Sequence, residues 1–201
     1  MTPLLRIRKI LFWLSGILGG VVMGGFWLYS TMTLEKANSQ LINGPWFTSE
    51  LYGAETADPF TRTTVALSGL FALSKKETVY YTSISDDAGD LLDAGCNYQV
   101  TGMPLPSRWW SITLYDAEHF LVENTANRYA FNMKNLEMNK DGSFTINISR
   151  KPKDKNWLPA PKTGEGPEIF SLTLRLYNPA DTIYSYLRDT PLPQITKGDC
   201  V

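Results

Sequence analysis

RWWSITLYDAEHFLVENTANRY, residues 108–129, is the stretch that decides the fold. In its first half Trp110, Ile112 and Leu114 alternate with Trp109, Ser111, Thr113 and Tyr115, and successive side chains of a strand point to opposite faces. A strand with its apolar side in a core is predicted. Asp116-Ala117-Glu118-His119 then interrupts the run with short or polar residues before Phe120-Leu121-Val122 resumes it, the pattern of a hairpin loop between antiparallel strands.

The same period of two continues outward. Residues 78–83, 98–100, 143–149 and 170–177 read as further strands. The last two are the clearest, with Phe144, Ile146 and Ile148 set between polar residues and Phe170, Leu172, Leu174 and Leu176 set between Ser171, Thr173 and Arg175. Turn-rich stretches at 86–89, 102–106, 140–142 and 152–167 separate them. Short strands without intervening helices predict an antiparallel β-sandwich or jelly roll in preference to a parallel sheet. The 152–167 loop, with Trp157, Leu158, Pro152, Pro159, Pro161 and Pro167, reads as too irregular for a ladder, its apolar residues capping one edge.

Before the strands the period is helical. Asp58-Pro59 is an N-cap followed by proline at the first helical position, and Phe60, Thr64, Leu67 and Phe71 lie on one stripe, which predicts one amphipathic helix over 59–74 with Lys75-Lys76 in its last turn. Residues 35–57 read as a polar connector in which Asn43-Gly44-Pro45 marks a turn and Trp46-Phe47 docks on the domain.

Residues 10–34 contain no charge and are long enough to cross roughly 30 Å of hydrocarbon as a helix. Arg6, Arg8 and Lys9 precede this run and Glu35 is the first charge after it, so the positive-inside rule puts residues 1–9 in the cytoplasm and 58–201 outside as an extracytoplasmic domain. Trp13 at one end and Trp27 with Tyr29 at the other suit the two interfaces. No convincing small-x-small cleavage site follows, which favours a retained anchor over a removed signal peptide. Gly16, Gly20 and Gly24 form one smooth stripe on this helix. Two readings stand: close packing of a second membrane helix, or the ordinary abundance of glycine in membrane spans.

The chain of 201 residues leaves, behind such a span, enough for one domain with its own core. Its formal charge is −1, and setting aside Arg6, Arg8 and Lys9 leaves sixteen bases against twenty acids, the wrong sign for a nucleic-acid binder. The two cysteines, Cys96 and Cys200, predict a disulfide in an oxidising compartment, and with no Cys/His cluster a structural zinc is not expected.

Chemistry is harder to find. The sole histidine, His119, sits at the hairpin tip with no nucleophile elbow elsewhere, and reads as a solvated loop residue. Asp86, Asp87, Asp90, Asp116 and Glu118 mark turns, where aspartate is favoured for conformational reasons alone. Arg108, Trp109, Asp116, Asn124, Asn127, Arg128, Tyr129 and Arg175 form the candidate ligand set, because flat aromatics beside guanidinium and amide groups make the lining of a polar-ligand groove. The competing reading makes them core aromatics with neighbours that satisfy backbone groups. Asn147-Ile148-Ser149 matches a glycosylation sequon but reads as accidental because it falls on a proposed strand, and Arg150, Lys151, Lys153 and Lys155 read as a solvated loop within reach of anionic headgroups.

The residues 108–116, then Asn124 with Asn127-Arg128-Tyr129, Asp141-Gly142-Ser143, the run 156–161 (NWLPAP) and the run 174–179 (LRLYNP) together resemble the bacterial domain-of-unknown-function family 1214. The resemblance extends from about Trp46 to Pro193. It implies a jelly-roll sandwich and the company of a second uncharacterised family, numbered 1254, and it carries over no catalytic residues and no cofactor. His119 stands where many members have glycine. The expectation is a non-enzymatic accessory or interaction subunit of the bacterial inner membrane, its domain in the periplasm, paired with another envelope protein, with a companion of family 1254, or with itself. A carbohydrate-binding or carbohydrate-active domain is the alternative.

Overall fold

The computed structural model describes residues 3–161 and 168–200, the side chains of residues 3–6 and 32–39 excepted. Two compact units result, residues 1–38 and 39–201. The first carries α1 (Pro3–Ser39), in which Ile7–Thr31 is long and apolar enough to cross a membrane. Its apolar side chains, Phe12, Val21 and Met23 among them, are exposed. Trp13 and Trp27 lie in the described part, whereas the side chains of Arg6 and Glu35 lie outside the described residues.

The second unit has two sheets. Strands β1 (Leu41–Asn43), β2 (Trp46–Thr48) and β3 (Thr78–Ser83) join β5 (Ser107–Tyr115), β6 (Ala130–Asn132) and β9 (Ser171–Pro179) in the order β1-β2-β3-β9-β5-β6. Strands β4 (Cys96–Gly102), β7 (Phe144–Ser149), β8 (Trp157–Pro159) and β10 (Gln194–Cys200) form the other, in the order β10-β4-β7-β8. The class is the expected one, mostly β behind one long apolar helix, although this strand order leaves the jelly-roll winding without confirmation.

Period-two alternation does what the sequence predicts. Trp110, Ile112 and Leu114 of β5 meet Leu176, Leu174 and Leu172 of β9 in register, and all six point into the core. Phe144, Ile146 and Ile148 face them from the second sheet, with the Trp110 and Phe144 rings 4.8 Å apart. Each such side chain taken fully from water contributes roughly 1.5–3 kcal/mol. Polar ends inside the core find partners: Trp46 Nε1 donates to Pro193 O at 2.7 Å and the Tyr81 hydroxyl to Leu187 O at 3.0 Å. Burial pushes the Tyr81 and Tyr98 hydroxyls above their usual range.

Four expectations are corrected. First, the helix α2 (Pro59–Leu67) is capped as predicted by Asp58, whose carboxylate accepts from the Phe60 and Thr61 amides, but it stops well short of residue 74. Gly69 at φ +62 provides the left-handed turn that ends a helix, and leaves Phe71 outside it and 87% exposed. Second, residues 120–122 are no strand: Asp116 and Phe120 close a tight turn, a lone bridge joins Tyr115 to Leu121, and the antiparallel partner of β5 on that side is β6. Third, the connector 35–57 contains β1 and β2, whose Trp46 is 1% exposed, so the sheet begins before Asp58. Fourth, the 152–167 loop does enter a ladder, as β8 parallel to β7; Pro167 lies outside the described residues. The short helix α3 (Asp181–Ser185) and strand β10 were not foreseen. Strand β10 ends in the Cys96–Cys200 disulfide, the predicted bridge, across a sequence separation of 104.

Candidate functional site

The alternation that buries one face of the six-stranded sheet leaves the other face to solvent or loops. Register places Tyr80 of β3 and Ser111 of β5 on either side of Arg175 in β9. Arg175 is half-buried on this outer face. Its Nη1 donates to Thr113 Oγ1 at 3.3 Å and its Nη2 to the Tyr115 hydroxyl at 2.9 Å, while the guanidinium lies 5.5 Å from the Tyr115 ring centre and 5.9 Å from that of Tyr80. These partners are all neutral. The ion pairs among the described residues, Lys155–Glu137 and Lys197–Asp90, lie elsewhere.

Two loops wall this floor. One is the segment after α2, held down where Leu73 N donates to the Tyr80 hydroxyl at 2.8 Å. Its approach to the preceding loop is tight: a Cβ on Gly53, whose φ is +69, would lie 2.0 Å from Leu73 O. The other is the turn after β5, in which Asp116 Oδ1 accepts from the Glu118 amide at 3.1 Å and the Phe120 amide at 2.7 Å. That turn sets His119 at φ +66, a conformation glycine adopts at lower cost. Between the loops lies an open cleft of about 660 Å³, its floor Tyr80, Tyr115, Arg175 and Tyr177 and its walls including Phe71 and Leu121.

The eight residues of the sequence-predicted ligand set are not brought together. Arg175 is in the cleft. Asp116 shapes the cleft's turn with its carboxylate engaged by backbone amides. Trp109 lies near the opposite end of β5, where Lys134 stands 5.3 Å over its ring, and Arg108 beside it is exposed. Asn124 folds its own loop, donating to Val122 O at 2.9 Å and Arg128 O at 3.0 Å and accepting from Arg128 N at 3.1 Å. Asn127 sits in that loop at φ +47, and Tyr129 O accepts from Leu114 N at 3.1 Å where the chain enters β6. Arg128 stacks over Phe131 at 5.3 Å and its Nη1 donates to Trp157 O at 3.0 Å, tying the loop before β6 to β8 of the other sheet.

Sequence reading missed Tyr80, Phe71, Leu73 and Tyr177. The signal for Tyr177 was its parity with Arg175 on one strand; Tyr80 is set beside Arg175 only by the register of β3 on β9, and the loop residues had none. His119, read as solvated, is a rim residue and exposed. Among the described residues no group of three or more His, Cys, Asp or Glu side chains is placed to hold a metal. In α1 a Cβ on Gly16, Gly20 or Gly24 would meet nothing within 4 Å.

Comparison with known proteins bears on the fold and the family. The VPA0106 protein from Vibrio parahaemolyticus, a crystal structure, matches with a TM-score of 0.58 at 26% identity over 72% of this chain and 36% of its own. A Burkholderia cenocepacia protein of uncharacterised role gives a TM-score of 0.39 at 19% identity over 62% of this chain and 30% of its own, too distant to support an argument. The chain thus spans about a third of the length of these solved relatives. No curated protein matches. The model of the family described as "Protein of unknown function (DUF1214)" covers residues 77–181, more than half of the sequence and the whole run from β3 to the end of β9. The chain belongs to the DUF1214 family.

Proposed function

We propose that this chain is a single-span accessory protein of the bacterial inner membrane, non-enzymatic, with residues 1–9 in the cytoplasm and the sandwich presented in the periplasm to a second envelope protein. The Cys96–Cys200 bridge carries the reading. Structural disulfides persist on the oxidising side of the membrane, and this one follows a helix of spanning length in the same chain. The accessory role is supported by how the polar residues are used: Asp116, Asn124 and Arg128 hold loops in place instead of converging on a substrate. About two thirds of the VPA0106 chain lies outside the part it shares with this one, which suits a companion chain, such as one of family 1254, supplying a further domain. The glycine stripe offers an open surface to a partner helix or to a second copy. No observation favours the carbohydrate reading, since Arg108, Trp109 and Asp116 lie toward opposite ends of one strand.

Topology and partnership are tested together in intact cells and after mild-detergent purification. The expected results are retention in the membrane after alkaline extraction, protease access to the C-terminal region only once the outer membrane is permeabilised, no free thiol, and a co-purifying chain or a crosslinked homodimer. A molecule released as a soluble monomer with both thiols reactive overturns the proposal.

A further inference from the structure

We propose that the cleft over Arg175 binds an amphiphilic monocarboxylate, a small molecule with one carboxylate head and a hydrocarbon tail. The cleft lies within residues 39–201, so the proposal stands independently of the topology above. Its floor holds a half-buried cation whose hydrogen bonds are to Thr113 and Tyr115 and which faces no carboxylate within ion-pair distance among the described residues. A half-buried guanidinium with only hydroxyl and ring partners is partly desolvated and gains from an anion placed beside it. Two of its five N–H donors are engaged, and Nε with one hydrogen on each of Nη1 and Nη2 remains to donate to a carboxylate. The Tyr115 hydroxyl accepts from Arg175 and keeps its own proton to donate to the same anion. Arg175 is the one guanidinium in a lining that has no lysine and carries His119 at its rim, a set that suits one negative charge better than a phosphate's two.

The walls argue for the tail. Leu70, Phe71, Leu73, Phe120 and Leu121 line the same cleft with hydrocarbon, and Phe71 and Phe120 are 87% and 70% exposed, a large apolar surface that the described residues leave uncovered. Phe71 is held at φ +48, a conformation costly for a bulky residue, in the loop that Leu73 N fastens to Tyr80. The volume of about 660 Å³ falls within the range of small-molecule sites. A cationic floor under apolar walls is the complement of a carboxylate headgroup with an aliphatic chain.

The test uses the full chain in phosphatidylcholine nanodiscs and decanoate carrying a terminal photoreactive diazirine, with crosslinked peptides mapped by mass spectrometry. Labelling is expected at residues 70–73 and 120–121, competed by unlabelled decanoate and not by decanol. Arg175→Gln is expected to weaken competition by roughly tenfold or more and Arg175→Lys by less, as a charge-assisted contact requires. Should Arg175→Gln fail to fold, Phe71→Asp at the exposed rim provides the second reading: unchanged thermal stability with lost labelling. Equal competition by decanol, labelling confined to α1, or Arg175→Gln and Phe71→Asp proteins that fold and label as the parent does would each overturn the proposal.

Discussion

Opening the Cys96–Cys200 bridge should destabilise the sandwich by an amount its loop length dictates. The bridge spans 104 residues, and the chain-entropy relation assigns a closed loop of that size ~4.7 kcal/mol at 25 °C. For a chain of this size ~1 kcal/mol corresponds to ~2–4 °C in Tm, so a drop of ~9–19 °C is expected. The native side of the equilibrium should change little. Strand β10 keeps its ladder from Gln194–Thr101 to Lys197–Tyr98, Ile195 stays in the core, and its amide donates to Asp87 Oδ2 at 2.6 Å. Only the end beyond Lys197, where the register shifts, depends on the bridge for its position. The assay compares the parent, the reduced parent, and Cys96→Ala combined with Cys200→Ser, by thermal circular dichroism and native-state hydrogen exchange. Exchange should rise at residues 198–200 and stay unchanged at Val100 and Ile195. A Tm within about 3 °C of the parent, or exchange rising along the whole of β10, would refute the claim that the bridge acts by restraining the unfolded chain.

Three further outcomes are expected. Gly53→Ala places a Cβ 2.0 Å from Leu73 O at φ +69 and should cost about 2 kcal/mol or more, whereas Gly44→Ala at φ +59 in open space should cost about 1 kcal/mol; thermal melts of the pair decide it, and equal shifts would contradict the close approach. Hydrogen bonds from the Thr61 hydroxyl, then the Thr61 and Phe60 amides, hold the Asp58 carboxyl below its usual range. Its folded pKa being depressed, the cap's contribution is present above the ordinary aspartate value of about 3.9 and is lost as pH falls through the lower folded value, so the Phe60 and Thr61 amide resonances should titrate with a midpoint under ~3.9. Trp110→Ala removes a ring that is 1% exposed and packed on Phe144, and should lower stability by about 3–5 kcal/mol in denaturant titration; a cost under about 1 kcal/mol would contradict its place in the core.

Much of the fold was legible because β5, β7 and β9 are long strands with one wholly apolar face, and a period of two survives any uncertainty about neighbours. Strand β10 escaped because Ile195 is its sole buried residue and Lys-Gly-Asp follows soon after. Strands β1 and β2 escaped because three residues are too few to show a period, and the Asn43-Gly44-Pro45 turn that joins them was read only as a break in a connector. The helix overran because Phe71 continues the stripe, although Ser68-Gly69 already carried the stop signal. The site was less legible still. Arg175 stood out by residue type, but its neighbours Tyr80 and Tyr115 are determined by strand register across residues distant in sequence, and the cleft exists only because two loops meet over that register.

The margins of the two layers bear on how copies behave when crowded. The four-stranded layer ends on one side in β10, with a register shift and Lys197-Gly198-Asp199 at its exposed end, and on the other in β8, three residues long and closed by Pro159. The six-stranded layer ends in β1 and β6, again three residues each. Short, charged or proline-stopped borders offer little main chain for a neighbouring molecule to pair with. Packed side by side at high local density, such molecules can touch without polymerising through their backbones, so any lasting association must be made by side chains or by the helix.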